Sequence, residues 1–155
     1  MLKLYKPKYE DLYFRKSLVE DKDTMSFNHA YGGIIPFPKS KWLSWYRRWF
    51  ENDNRFYRYL KDDDKFVGEV AYYLEDDKYM LNIIVHSKYR NKGYGKRGLE
   101  LLLSELEKQG IEVVYDEIAI DNPCISMFLK ADFKEISRDE KTILIKREIK
   151  KTPSL

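Results

Sequence analysis

The spacing of apolar and polar positions predicts short helices and strands in the order βααβββαβαββ. Apolar residues recur every three or four positions over 42–50 and 99–106, which is typical of helices with one buried face. Alternating positions and short apolar runs between turn residues predict strands. The predicted helices cover 8–20, 42–50 with Ser40 as N-cap, 93–109 with Gly110 as the stop signal, and 122–131 with Asn122 as N-cap. The predicted strands cover 2–6, 55–61, 65–74, 79–85, 112–120, 133–136 and 142–147.

The connections between these elements indicate the fold class. Short polar segments at 62–64 and 75–77 separate the middle strands, which we therefore expect to pair as an antiparallel meander. One strand–helix–strand crossover follows the meander. The chain has no internal repeat and no linker-like stretch, and 155 residues are typical of one domain. The sequence therefore predicts an α+β (mixed α/β) fold, with one domain over 1–150 and a short tail over 151–155.

Composition excludes several classes of protein. No apolar run is long enough for a membrane span, and the first residues do not resemble a signal peptide, so we expect a cytoplasmic protein. Cys124 is the single cysteine, which excludes an internal disulfide, and with His29 and His86 as the two histidines no metal site is expected. The 29 basic and 26 acidic residues give a net charge of +3, which is too small to indicate a nucleic-acid-binding protein.

Basic residues are nevertheless concentrated around one glycine-rich segment. The window 78–99 contains six basic residues and no acidic one, and residues 93–98 have the spacing GxGxxG at the start of a predicted helix. A dinucleotide-binding turn has this spacing, but it leaves its strand directly, whereas seven residues separate Val85 from Gly93. The N–H groups at a helix N-terminus and nearby cations favour a phosphate. We therefore interpret the segment as a phosphate-binding loop.

Two motifs resemble a known family. Residues 90–95, Arg-Asn-Lys-Gly-Tyr-Gly, match the Arg/Gln-x-x-Gly-x-Gly/Ala signature of the GNAT superfamily of N-acetyltransferases. Residues 121–123, Asp-Asn-Pro, with the following helix and Phe133, are similar to the second motif of that family. The order of predicted elements is also similar over nearly the whole chain. The resemblance implies a GNAT-like domain with a mostly antiparallel central sheet and helices on both faces.

The resemblance also implies acetyl-CoA as cosubstrate and a set of residues that bind it. The signature loop would hold the pyrophosphate through its backbone, and the main chain of the preceding strand would pair with the pantetheine arm. Asn122 would contact the pantetheine or only cap its helix. One of three basic residues (Lys88, Lys92, Arg97) would meet the 3′-phosphate. The implied cofactor-binding residues are Ile83, Ile84, Val85, Arg90, Asn91, Lys92, Gly93, Tyr94, Gly95, Lys96 and Asn122.

The chain departs from the family at positions that carry catalysis. Phe128 aligns with a tyrosine that is a frequent proton donor in the family, and the strand 79–85 lacks a carboxylate that could act as general base. Glu69 is the one carboxylate within 66–74, so we take it as the candidate general base. Strand alternation predicts that it shares a face with Val67, Ala71 and Tyr73. Tyr73 is then the candidate proton donor.

These observations favour an N-acetyltransferase that acts on a primary amine. Cys124 is the only thiol and has no adjacent base, which favours direct attack in a ternary complex over an acyl-enzyme. The acceptor is expected to be a small molecule or a peptide, with no nucleic acid or membrane involved, and the protein a monomer or homodimer. A non-catalytic acyl-CoA-binding module is the alternative. A nucleic-acid-binding domain is disfavoured because the sequence has no second basic face.

Overall fold

The computed structural model describes residues 1–149 and contains one seven-stranded sheet. The strand order is β1-β2-β3-β4-β5-β7-β6, and among the described strands only the β4–β5 pair is parallel. The mostly antiparallel sheet confirms the predicted fold class. The predicted tail, 151–155, lies outside the described residues. The strands are β1 (Leu2–Tyr5), β2 (Arg55–Asp62), β3 (Lys65–Glu75), β4 (Lys78–Val85), β5 (Val113–Ala119), β6 (Lys134–Arg138) and β7 (Thr142–Glu148).

The helices follow the predicted order, but the first and the last begin later than expected. The segment 8–20 opens with a 3₁₀ turn. The helix predicted over 42–50 has those bounds, although Ser40 is not its N-cap, because it lies within a 3₁₀ turn, Lys39–Lys41. Asn122 is not an N-cap, because its helix begins three residues later, at Ile125. Gly110 is left-handed, with a φ of 74°, and ends its helix as predicted. The helices are α1 (Leu12–Val19), α2 (Trp42–Phe50), α3 (Tyr94–Lys108) and α4 (Ile125–Lys130).

A hydrophobic core lies on each face of the sheet. On one face α3 buries Leu99, Leu102 and Leu106, and α4 adds Phe128. On the other face α1 and α2 bury an aromatic cluster that includes the predicted Trp42 and Trp45. Neither helix pair could bury its apolar stripe without the sheet between them. The prediction of helices on both faces is therefore confirmed.

The parallel pair β4–β5 is short, and this opens the sheet. Tyr79 pairs with Val114 and Met80 pairs with Tyr115, and no pair follows among the described residues. Beyond this point β4 keeps only β3 as a neighbour, while β5 keeps only β7. The two strands therefore diverge and leave a V-shaped gap in the middle of the sheet. A doubly wound dinucleotide-binding sheet has no such gap.

A β-bulge in β3 corrects one expectation about side-chain direction. Leu60 pairs with Gly68 and Lys61 pairs with Phe66, so Val67 is an additional residue in β3. The bulge places the Val67 side chain in the core against α3, on the face opposite to Glu69. The expectation that Val67 shares a face with Glu69 is therefore wrong, whereas Ala71 does lie on the α1–α2 face.

The bulge also brings the backbone of β3 unusually close to β4. A Cβ atom on Gly68 would lie 2.4 Å from the Ile84 carbonyl oxygen, so only glycine fits without moving a strand. We predict that Gly68→Ala lowers the free energy of unfolding by about 1–3 kcal/mol, the usual cost of overpacking. Gly98→Ala is the comparison variant. Its Cβ would lie 2.8 Å from a methyl group of Leu60, a side chain that can shift, whereas the atom that Gly68→Ala meets belongs to the backbone, and alanine also favours a helix. Urea denaturation of both variants measures this, and equal stability would contradict the prediction.

Candidate active site

The gap between β4 and β5 is a cleft of about 570 Å³. One wall is β4 with the residues predicted to meet pantetheine, Ile83, Ile84 and Val85. The opposite wall is formed by 116–119 of β5 and by the start of α4. The signature loop closes one end, and a 3₁₀ turn, Ser26–Tyr31, covers the other. The cleft therefore joins the predicted cofactor residues to the Ser26–Tyr31 turn, which lies outside the predicted helices and strands.

The signature loop turns tightly into α3. Asn91 and Gly93 are left-handed, with φ values of 63° and 80°, and Gly93 immediately precedes the helix. A helix of this length leaves its first N–H groups without intrahelical partners, and they carry partial positive charge. A Cβ on Gly95 would lie 3.4 Å from the Met127 sulfur and 4.0 Å from Val85 Cγ2. Glycine at this position keeps the cleft open between the two walls.

The basic residues of the loop have different roles. The Arg90 guanidinium donates to the Thr24 carbonyl oxygen over 2.8 Å, so it braces the loop as well as lining the cleft. Lys96 lines the cleft and is exposed. The three candidates for the 3′-phosphate (Lys88, Lys92, Arg97) are exposed and do not line the cleft.

A polar clamp connects the end of α1 to the residues after β4. Asp21 Oδ2 accepts hydrogen bonds from the Thr24 and Ser87 hydroxyls, at 2.6 and 2.9 Å. The Ser87 N–H donates to Thr24 Oγ1 over 2.9 Å. Together with Arg90, these bonds fix the 21–24 turn beside the signature loop. The clamp spans more than 60 residues of sequence, so a linear motif could not predict it.

Two consecutive carboxyl groups line the narrow end of the cleft on opposite faces of β5. Asp116 pairs with Ile145, which is buried in the core beneath α3, and so Asp116 faces that side. Glu117 faces the other side and accepts a hydrogen bond from the Thr142 hydroxyl over 3.1 Å. The Tyr31 hydroxyl, from the 3₁₀ turn, also bonds to Glu117. The sequence analysis did not select this pair as candidate site residues, although two acids in an otherwise apolar strand are an unusual pattern.

The surroundings shift the proton affinity of three groups in the cleft. Desolvation raises the pKa of Asp116 well above its usual range, and the neighbouring Glu117 charge adds to this, although the Glu117 N–H partly opposes it. Desolvation, followed by the bond to Glu117, raises the pKa of Tyr31. Desolvation also raises the pKa of the Cys124 thiol. Burial thus favours the protonated forms of the Asp116 carboxyl and of the Cys124 thiol.

The two residues predicted as catalytic lie behind the cleft. Glu69 is 2% exposed and pairs with the Arg15 guanidinium over 2.8 Å. Tyr73 packs edge-on against Trp49. Neither residue lines the cleft. A carboxylate held by a buried cation cannot reach an acceptor there, so the geometry does not favour Glu69 as general base or Tyr73 as proton donor.

The remaining predicted site residues are at the wall formed by α4. Asn122 lines the cleft, and its Oδ1 accepts a hydrogen bond from the Cys124 N–H over 2.9 Å. Phe128 is 3% exposed and offers no proton. Residues 1–149 contain no group of three or more His, Cys, Asp or Glu side chains arranged to hold a metal ion. No helix within the same residues is both long and apolar enough to cross a bilayer.

Solved structures named as N-acetyltransferases share the fold of this chain. The chain aligns with spermidine N-acetyltransferase from Vibrio cholerae, determined with CoA and spermine, at a TM-score of 0.83 and 15% identity, covering 96% of this chain and 95% of that one. It aligns with ribosomal-protein-S18-alanine N-acetyltransferase from Escherichia coli at a TM-score of 0.72 and 20% identity, covering 99% and 97%. An N-acetyltransferase from Staphylococcus aureus Mu50 gives a TM-score of 0.82 at 15% identity, covering 97% and 99%.

The sequence identifies the family directly. Residues 16–133 match the acetyltransferase (GNAT) family. The chain therefore belongs to the GNAT family, as the two motifs predicted. No curated protein sequence matches the chain significantly.

The raised pKa of Asp116 predicts a pH-dependent stability. Above pH 4 the folded protein retains a proton on Asp116 that the unfolded chain loses. The contribution of Asp116 to the free energy of unfolding is therefore complete below pH 4 and decreases as pH rises towards the folded pKa. The asparagine side chain in Asp116→Asn cannot ionise, so this variant should not show that loss of stability at higher pH. We expect its Tm to exceed that of the wild type at pH 8 by on the order of 3 °C, which is about 1 kcal/mol in a chain of this size. Thermal melts at pH 4 and pH 8 measure this, and an equal difference at both pH values would contradict it.

Proposed function

We propose that this protein is an N-acetyltransferase that transfers an acetyl group from acetyl-CoA to a primary amine by direct attack in a ternary complex. One observation carries the proposal. A single cleft connects a glycine-rich helix start, suited to a pyrophosphate, with two carboxyl groups suited to proton transfer. Proton acceptor and proton donor are thus both within reach of one reacting group.

The residues present fit CoA. Beyond Met80 the β4 edge facing the cleft has no neighbouring strand, so its backbone groups are available to the amides of pantetheine. The first turn of α3 provides N–H donors for the pyrophosphate, and Lys96 adds a positive charge. Acetyl-CoA supplies an activated thioester to this cleft. The chain's own task is to bind it, orient the amine and move two protons.

Glu117 is the proposed general base. An alkylamine has a pKa of about 10.4, so forming the neutral amine at pH 7 costs roughly 4–5 kcal/mol. Glu117 lines the cleft on the side covered by the Ser26–Tyr31 turn, and the hydroxyls of Thr142 and Tyr31 orient its carboxylate. It accepts the proton that the amine nitrogen loses as the C–N bond forms.

Asp116 is the proposed proton donor, in the place of the tyrosine that the family often uses. It lies on the other face of β5, towards α3 and α4, where Phe128 occupies the tyrosine position. Desolvation raises its pKa and so favours the protonated form that a donor needs. It donates this proton to the sulfur as the C–S bond breaks. Adjacent carboxyl groups in different surroundings thus take opposite roles.

Cys124 supports direct attack over an acyl-enzyme. Its thiol lines the cleft, but desolvation raises its pKa, and a thiol that stays protonated is a poor nucleophile. Nothing in residues 1–149 provides a second thiol. The acceptor is a primary amine on a small molecule or a peptide, consistent with structural neighbours named for spermidine and for a ribosomal-protein alanine.

The first test concerns the cofactor site. Gly95→Val places methyl groups between Val85 and Met127, where the cleft is narrow, and should weaken CoA binding at least tenfold. Isothermal titration calorimetry with CoA measures this. Ser104→Val, at an exposed position later in α3, is the matched control and should bind CoA normally. A folded Gly95→Val variant with full affinity would exclude the proposed site.

The second test concerns proton transfer to Glu117. Glu117→Gln should lower kcat about 100-fold or more at pH 7, with CoA affinity unchanged. The loss of kcat relative to the wild type should become smaller towards pH 10, because a large share of the amine is then already neutral and needs no general base. CoA-thiol release with a panel of primary amines, including spermidine and a peptide with an N-terminal alanine, measures kcat.

Cys124→Ala is the control in this assay and should retain most of its activity. A burst of CoA without acceptor that Cys124→Ala abolishes would indicate an acyl-enzyme instead. A wild-type protein that binds CoA but releases no thiol with any amine would indicate a non-catalytic acyl-CoA-binding module.

A further inference from the structure

Asn82 links the cleft to the buried ion pair behind it. Its Nδ2 donates to Glu69 Oε2 over 3.3 Å, and the residue itself lines the cleft. Glu69 Oε1 accepts from Arg15 over 2.8 Å and from the Tyr57 hydroxyl over 2.7 Å. We propose that Asn82 binds the acceptor amine through Oδ1. Glu69 and Arg15 are then positioning residues that fix the orientation of the Asn82 amide. This inference rests on the proposed function and adds the group that orients the amine.

The chemistry of the contact fixes which way the amide points. A carboxylate only accepts hydrogen bonds, so Asn82 must direct its NH₂ group to Glu69 and leave Oδ1 on the opposite side of the amide. Within residues 1–149, Asn82 Oδ1 has no hydrogen-bond partner. A fixed acceptor atom is therefore available to the cleft.

The register places this acceptor opposite Glu117. The last β4–β5 pair is Met80 with Tyr115, so continuing two residues along each strand brings Asn82 and Glu117 face to face across the gap. Both groups accept hydrogen bonds and neither offers a proton at this point. A primary amine carries several N–H groups and satisfies both acceptors at once. An alcohol or thiol acceptor, with one proton, does not.

The ion pair is built for orientation more than for stability. Arg15 lies 4.5 Å from the Trp45 ring centroid and 4.9 Å from that of Phe37, and its Nε has no hydrogen-bond partner in the described chain. Burying two charges carries a large desolvation penalty, and apolar residues of similar volume often replace such pairs without loss of stability. What apolar residues cannot do is hold a carboxylate against Asn82.

Glu69→Gln is the decisive variant. Arg15 and Tyr57 are both donors to one oxygen of the side chain at position 69, so the glutamine in this variant must keep its carbonyl oxygen there. Its NH₂ group then faces Asn82, whose amide rotates and directs a donor into the cleft. We expect the KM for the amine to rise at least tenfold, with the Kd for CoA unchanged. Asn82→Ala should raise the KM by about the same factor.

The combination of the two variants separates positioning from general damage. Adding Asn82→Ala to Glu69→Gln should cause no further increase in KM. In Glu69→Gln the Asn82 amide already directs a donor into the cleft, so removing that amide takes away no acceptor for the amine. A double variant whose increase in KM equals the product of the two single increases would overturn the proposal. A Glu69→Gln protein with a normal KM would also overturn it. Tyr57→Phe is the matched control, because it removes one bond to Glu69 without touching Asn82, and its KM should remain normal. If Glu69→Gln does not fold, Asn82→Ala alone tests the proposal, because it removes the acceptor atom and leaves the ion pair intact, and a normal KM in that variant would overturn the proposal.

A binding measurement distinguishes this inference from the proposed function. Calorimetric titration of spermidine and of the alanine peptide into CoA-saturated protein gives the amine Kd without turnover. Amine binding that weakens in Glu69→Gln and Asn82→Ala supports the inference even if thiol release is absent. Equal amine affinity in all variants overturns it while leaving the acetyltransferase activity in place. A wild-type protein that neither binds nor acetylates these amines overturns both.

Discussion

The site depends on the early end of pairing between two parallel strands. Hydrogen bonds between β4 and β5 stop after Met80 and Tyr115, and the sheet opens from that point. A sheet that continued would satisfy the β4 backbone and leave no room for a ligand. The divergence instead leaves backbone groups of β4 available and exposes both faces of β5 to one cleft. The proposed cofactor site and the proposed proton-transfer groups thus have a common structural origin.

The local features of the fold were predictable from the sequence. The element order, the signature loop and the stop at Gly110 depend on residues within a few positions of one another, and the structure agrees with them. Helix starts were less predictable, because 3₁₀ turns precede α1 and α2, and Ser40, the expected N-cap of α2, lies within one of these turns. The bulge at Val67 depends on pairing with β2, so alternation within β3 alone gave the wrong face.

The candidate site was predictable only on the cofactor side. The loop carries its own signature, whereas the proton-transfer groups are defined by where β5 separates from β4. Glu69 illustrates the difference. Its partner Arg15 is 54 residues away, and without that contact the acid in β3 resembled a general base. The different roles proposed for Asp116 and Glu117 rest on their lying on opposite faces of β5, which a sequence shows only if the sheet is known.

The clamp of Asp21, Thr24 and Ser87 has a consequence for how such enzymes diversify. It fastens the chain to the residues after β4 immediately before the Ser26–Tyr31 turn begins. At the other end of the turn, Gly32 and Gly33 are left-handed and have open space around them. The intervening turn is therefore attached firmly at one end and, at the other, joined to two glycines that have free space around them. On the proposed function, substitutions within the turn would alter the acceptor side of the cleft and leave the signature loop, on the far side of the anchor, in place.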